Sequence, residues 1–235
     1  MSDRWGATPE DWAHWSRTLG LTEDLLPVVC NPAAPLLPSS KVRSIGKLPS
    51  RYVSGGSMCG IPAWTSIHAT QGQVDDWSRE PDYGICLQTR RVRALDVDVT
   101  DPERAAVIRT FLLEFFSALW SPGHALAVPP VRVRADSSKF LLLFELAGEW
   151  GKRTLETEAG VIEFLADGQQ CLIAGTHKDG ARYEWKSGLL PGGTPGINDG
   201  RAGLTPDQFE ALWSDLVLTF LTPGGQVTEA RVRRA

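Results

Sequence analysis

Long apolar runs are absent from this sequence. The longest, Phe140 to Phe144, has five residues, far short of the ~20 that a membrane span needs. The first residues, Met1-Ser2-Asp3-Arg4-Trp5, lack the charged-then-apolar pattern of a secretory leader. The expectation is a soluble, cytoplasmic protein without a membrane partner. Cysteine is sparse as well: Cys30, Cys59, Cys86 and Cys171 are far apart and form no CxxC, so they read as reduced, mostly buried thiols rather than a metal knuckle or disulfide framework. Basic excess is missing, with 24 Lys and Arg against 28 Asp and Glu and a net charge of −4. That balance speaks against a protein that coats nucleic acid generally, though not against one that holds it in a local groove. No GxxxxGK[ST] occurs, which excludes a P-loop ATPase, and no internal repeat is visible.

Apolar and aromatic residues, in contrast, are plentiful. Nine Trp and eight Phe in 235 residues, with 42% hydrophobic composition, require a sizeable core and exclude disorder as the dominant state. The pattern predicts one domain over residues 1–222 and a polar tail or linker over 223–235. The first 80 residues mix short helices, around Pro9–Thr18 and Thr70–Trp77, with a Pro-, Gly- and Ser-rich stretch from Cys30 to Pro62 that reads as loop. Strands are predicted at Tyr83–Leu87 and Val92–Val99, then a helix over Pro102–Trp120. Its start, Thr100-Asp101-Pro102-Glu103, offers an N-cap, a first-turn proline and a capping-box glutamate. After a loop at Ser121–Pro130 come strands Val131–Arg134 and Phe140–Leu146 around the turn Asp136–Lys139. Strands Gly160–Leu165 and Gln170–Ala174 follow, with Asp167-Gly168 between them, and then a hairpin turning at Asp179-Gly180. Residues 188–203 read as loop, and a helix from Pro206 to Leu221 is capped by Thr205.

The chemistry concentrates on three carboxylates. In Arg93-Ala94-Leu95-Asp96-Val97-Asp98-Val99 the period of two puts Asp96 and Asp98 on one strand face, ~7 Å apart, and the aliphatic residues on the other. Two such acids repel and resist dehydration unless cations neutralise them, as hard divalent ions with oxygen ligands do. Facing water at a strand end is the alternative for an isolated pair. Glu163 sits inside the apolar run Val161-Ile162-Glu163-Phe164-Leu165, where it either faces solvent on an edge strand or shares a metal with the aspartates. In Val131-Arg132-Val133-Arg134 the two arginines share a face, and Lys139 follows in the adjoining turn. Such a set suits a triphosphate, while a solvated strand face is the plainer reading. His177 stands at the mouth of the last hairpin, where it can donate to phosphate, ligate a metal or be an ordinary loop residue. His14, His68 and His124 show no ligand spacing with it.

Several of these stretches follow one another in a telling order: Gly84-Ile85-Cys86-Leu87-Gln88-Thr89, Ala94 to Val99, Ile162-Glu163-Phe164-Leu165-Ala166-Asp167-Gly168-Gln169-Gln170, and Gly175-Thr176-His177-Lys178-Asp179-Gly180-Ala181-Arg182-Tyr183-Glu184-Trp185. Gly46-Lys47-Leu48-Pro49 and Gly60-Ile61-Pro62-Ala63-Trp64 precede them. Over about residues 44–187 the chain resembles the bifunctional DNA primase/polymerase (prim-pol) branch of the archaeo-eukaryotic primase superfamily, especially its phage and plasmid members. The resemblance implies an α+β fold: an N-terminal α/β unit and an RRM-like antiparallel sheet that carries the active site. It further implies primer synthesis and extension from nucleoside triphosphates on a single-stranded DNA template in phage or plasmid replication. By the same resemblance Asp96, Asp98 and Glu163 would be catalytic and would hold two Mg²⁺ or Mn²⁺ ions. Arg134, Ser138, Lys139 and His177 would contact the nucleotide. The second family motif, with its histidine on a strand between the acids, is replaced here by Ser137-Ser138-Lys139-Phe140-Leu141-Leu142. Template contacts are expected from Arg90, Arg91 and Arg93 or from Lys152 and Arg153, and the tail is compatible with a linker to a replicative helicase. A metal-dependent nuclease on the same acids, or a non-catalytic DNA-binding initiator module, would be the rival functions.

Overall fold

The structure is a computed structural model that describes residues 4–119, 129–186 and 202–230. His124, most of the expected loop at 188–203 and the end of the tail, with Arg231, Arg233 and Arg234, lie outside them. The strands are β1 (Leu25–Val29), β2 (Ser50–Tyr52), β3 (Met58–Gly60), β4 (Tyr83–Gln88), β5 (Val92–Val99), β6 (Val131–Arg134) and β7 (Ser137–Leu146). They continue as β8 (Arg153–Thr157), β9 (Gly160–Leu165), β10 (Gln170–Ala174), β11 (Tyr183–Lys186), β12 (Gly203–Leu204) and β13 (Val227–Glu229). The α-helices are α1 (Pro9–Ala13), α2 (Gln71–Trp77), α3 (Pro102–Ala118) and α4 (Pro206–Phe220). The class is α+β, and among the described residues no helix is long and apolar enough to cross a membrane. The chain divides into two compact units, residues 1–88 with 168–183, and 89–167 with 184–235.

In the first unit, β4 is the middle of a three-stranded antiparallel sheet, flanked by β1 and β10. All five residues of β1 are buried. Its sequence, Leu-Leu-Pro-Val-Val, shows no alternation, so periodicity does not reveal it. Pro27, which cannot donate to a ladder, is tolerated because β1 lies at the sheet edge. The stretch expected to be loop contains the β2–β3 hairpin, with Arg51 opposite Cys59. Thr8 and Thr70 close capping boxes at α1 and α2, and α1 runs on as a π-helical turn over His14–Thr18. All four cysteines are free, three of them buried, as their spacing predicts.

In the second unit the sheet runs in the order β11-β6-β7-β5-β9-β8-β13, with β12 parallel to β7. One face carries Leu95, Val97 and Val99 of β5, Phe140, Leu142 and Phe144 of β7, and Ile162 and Phe164 of β9. All are buried in one core with residues of α3 and α4. Phe164 and Phe209 of α4 meet at a centroid distance of 4.2 Å at its centre. The cap of α3 differs from expectation: Asp101 is the N-cap and accepts from Arg104 N at 2.8 Å. Residue 104 therefore holds the third helical position, and Glu103 falls one place short of a capping box. The helix ends at Ala118 rather than Trp120, and β7 begins at Ser137, leaving only Ala135-Asp136 as its turn.

Arg93, at the start of β5, is 1% exposed. Its guanidinium pairs with Asp167 at 2.8 Å, donates to Gly148 O at 2.7 Å and also reaches the carbonyls of Thr89 and Leu146. A buried charge is tolerable only when its donors are satisfied in this way. The residue is a clamp that ties the head of β5 to the ends of β7 and β9, and it does not offer the expected template contact. Replacing Arg93 by Met should destabilise the protein by about 3 kcal/mol or more, because several carbonyls and a carboxylate lose their donor at once. Urea denaturation measures this, and a loss below about 1 kcal/mol would contradict the clamp.

Candidate active site

The antiparallel register places the acids. In the β5–β9 ladder Asp96 stands directly opposite Glu163, and Asp98 opposite Val161. Directly opposed residues share a face, with Cβ atoms ~4.5–5.5 Å apart. Asp96 is also opposite Leu141 of β7, and Leu141 opposite Arg132 of β6. Thr154 of β8 lies beyond Glu163. Arg132, Leu141, Asp96, Glu163 and Thr154 thus form a row across five strands, on the face away from the α3–α4 core.

Asp96, Asp98 and Glu163 are each faced by a separate cation. Lys139 Nζ pairs with Asp98 and Lys152 Nζ with Glu163, while Arg132 Nη2 lies 3.8 Å from Asp96 Oδ1. The acids are partly open, with side-chain exposures of 34% for Asp96, 56% for Asp98 and 30% for Glu163. The three carboxylates are turned to these cations and are not all within 4.8 Å of one another. Ala94, Leu141, Leu143 and Leu165 on the same face are buried and make it a poor solvent for charge. Burial therefore holds the Asp96 carboxyl above the ordinary carboxylate range; the Glu163 and Asp98 charges add to the rise, and Arg132 and Lys139 oppose it.

The remaining candidates divide between the two units. Arg134 follows an irregularity in the β6–β7 register, with Nε 3.5 Å from Asp136 Oδ1. Ser138 Oγ donates to Val99 O at 2.8 Å, tying β7 to the end of β5. His177 belongs to the first unit, where its Nδ1 lies 3.1 Å from Asp179 Oδ2 and its backbone N donates to Ala181 O at 2.8 Å. Gly160, opposite Val99, has φ +149°, and a Cβ there would meet Asp98 O at 2.1 Å, so the turn before β9 needs glycine to bring the strands this close. Arg153 is no template contact either. Its guanidinium lies over Trp150 and Phe209 at 5.5 and 5.2 Å and pairs with Glu210 at 2.6 Å, an anchor for α4.

Two members of the set were singled out in the sequence for other roles. Arg132 was visible in the Val-Arg-Val-Arg alternation as a triphosphate contact, but only the β6–β7 register shows that it reaches Asp96. Lys152, expected at the template, instead pairs with Glu163, a placement that depends on β8, which has no strong alternation.

A hard divalent ion fits this donor set: three oxygen-donor carboxylates gathered on one face, two of them in direct cross-strand opposition, in poorly solvating surroundings. Residues 24–196, well over half of the chain, match the bifunctional DNA primase/polymerase N-terminal family (Prim-Pol), and the chain belongs to that family. A comparison with curated proteins gives no match.

The raised Asp96 carboxyl has a consequence for stability. A carboxyl held above its ordinary value when folded costs stability at any pH above that raised value. The cost shrinks as pH falls through the raised value and vanishes below the ordinary value of 3.8, where both states are protonated. Asp96→Asn should therefore raise the Tm at pH 7 in EDTA, with the gain fading toward pH 3. A lowered Tm at pH 7 would contradict the charge balance described.

Proposed function

We propose that this chain is a template-directed nucleotidyltransferase, a DNA primase/polymerase that joins nucleoside triphosphates on single-stranded DNA in phage or plasmid replication. The observation that carries the reading is the face of β5 and β9, where three carboxylates stand together, each balanced by a separate Arg or Lys, in a member of this family.

Asp96, Asp98 and Glu163 would hold two Mg²⁺ or Mn²⁺ ions. Bound there, such ions supply activation of a primer 3′-hydroxyl and charge stabilisation at the leaving pyrophosphate. The chain's own part is positioning. The β5–β9 ladder fixes Asp96 against Glu163, and the α3–α4 core behind it keeps the strand from slipping by one residue, which would turn both acids inward. Lys139, on the same face as Asp98, is placed to give a point charge to triphosphate oxygens, and Arg134 a planar fork. Ser138 orders the start of β7 beneath them. His177 is assigned to the nucleotide as the imidazole that the stretch from Ser137 to Leu142 does not supply. Lys139, Lys152 and Arg132 then have two uses: they offset the carboxylates, and they can exchange those partners for phosphate oxygens.

Labelled nucleotide incorporation on single-stranded DNA, with and without a primer, in Mg²⁺ and in Mn²⁺, tests the reading. The wild type should extend, and Asp96→Asn and Glu163→Gln should each lose about 100-fold or more in rate, the scale of losing a ligand worth several kcal/mol. Shortening of the same DNA, with no extension under any condition, would establish a nuclease instead.

A further inference from the structure

The carboxylates are distributed unevenly along the chain. Residues 25–74 contain no Asp or Glu, although at the average density of the sequence fifty residues would carry about six. The same stretch carries Lys41, Arg43, Lys47 and Arg51, giving it a net charge of +4 in a chain whose total is −4. All four side chains are exposed, and none pairs with a carboxylate among the described residues. Asp82, which comes close through Tyr52, is occupied by the Tyr52 hydroxyl at 2.6 Å and by Asn31 Nδ2 at 3.0 Å.

The backbone segments that carry the four cations adjoin one another. Val42 is buried between Lys41 and Arg43, and a Cβ added at Gly60 would meet its Cγ2 at 3.1 Å. Gly60 is the β3 partner of Ser50, and the next residue of β2 is Arg51. The loop that carries Lys47 is pinned from several sides: Gly46 N donates to Val29 O at 3.0 Å, Gln170 Nε2 to Lys47 O at 2.7 Å, and Ile61 N to Pro49 O at 3.0 Å. The hairpin and its flanking loop therefore present like charges on an anchored backbone. Like charges on adjoining segments repel one another, and a polyanion relieves that repulsion.

We propose that the β2–β3 hairpin and the loop before it, through Lys41, Arg43, Lys47 and Arg51, form a phosphate-binding surface for the single-stranded DNA template. This rests on the nucleotidyltransferase reading only for the choice of DNA as the polyanion. It also fills the role that Arg93 and Arg153, which are engaged within the fold, leave open.

The test is fluorescence anisotropy of the full chain with a labelled oligo(dT), in EDTA and without nucleotide, so that neither metal nor catalysis contributes. Each phosphate contact on a single strand adds about 0.7 to the slope of log K against log salt, so four contacts add nearly 3. Replacing all four residues by Ala should flatten the slope by about that amount and weaken binding roughly 30-fold or more near 0.1 M salt. The charge-conserving set Lys41→Arg, Arg43→Lys, Lys47→Arg and Arg51→Lys should retain both. Unchanged affinity and slope in the Ala variant, with its Tm unaltered, would overturn the proposal, as would a clear preference for an acidic polypeptide over oligo(dT). Asp96→Asn separates this proposal from the catalytic reading, since it should cut incorporation about 100-fold or more and leave oligo(dT) binding in EDTA intact.

Discussion

The pairing of Asp96 with Glu163 across β5 and β9 is the constraint on which the rest of the site depends. Side chains alternate along a strand, so a slip of one residue would send Asp96 and Asp98 toward α3 and α4 and bring Leu95 and Val97 out. Burying Leu95, Val97 and Val99 on the core side, at roughly 1.5–3 kcal/mol each, makes that slip prohibitive. Repulsion between carboxylates on the open face is of the order of 1–2 kcal/mol per pair at intermediate dielectric. The core term wins, and it is the helix-facing side of the sheet that holds the acids where they are unfavourable.

Local charge balance makes this arrangement tolerable. Lys139, Lys152 and Arg132 come from three different places in the sequence, yet each ends beside one of the three acids. Asp96 is the one whose carboxyl is driven upward, because the Arg132 contact at 3.8 Å does not make up for burial and for two neighbouring acids. A site that is costly for the fold and rich in oxygen donors is what a cation-binding centre requires. Arg93 contributes at a distance, fixing the head of the same strand through contacts with the turns beyond β7 and β9.

Much of this was legible in the amino-acid order. The alternation around Asp96 and Asp98, the apolar run around Glu163, the short helix read over Thr70–Trp77 and the cap at Thr205 mark β5, β9, α2 and α4 nearly to the residue. β1 was hidden because a fully buried strand with a proline has no alternation. β2 and β3 were hidden because three-residue strands rich in Ser, Gly and Cys leave little signal. The third position of α3 was misjudged by one residue, since the cap is Asp101 and not Thr100. Arg93 and Arg153 illustrate a different limit: an arginine read as a surface cation can be the most enclosed charge in its unit, and only its neighbours decide. Lys152 became part of the site through β8, a strand whose pairing no local pattern announces.

The proposed reading gives such a face a use in this chain, and the strand register names the residues that stand on it. The most direct test of that assignment is Mn²⁺ electron paramagnetic resonance on the full chain at pH 7, with nucleoside triphosphate and template present. The account predicts that the wild type lowers the free-ion signal saturably beyond the loss that nucleotide and template alone cause, and that the double variant Asp98→Asn with Glu163→Gln shows no such additional loss. A wild-type protein that leaves the free-ion signal no lower than the double variant does would contradict it.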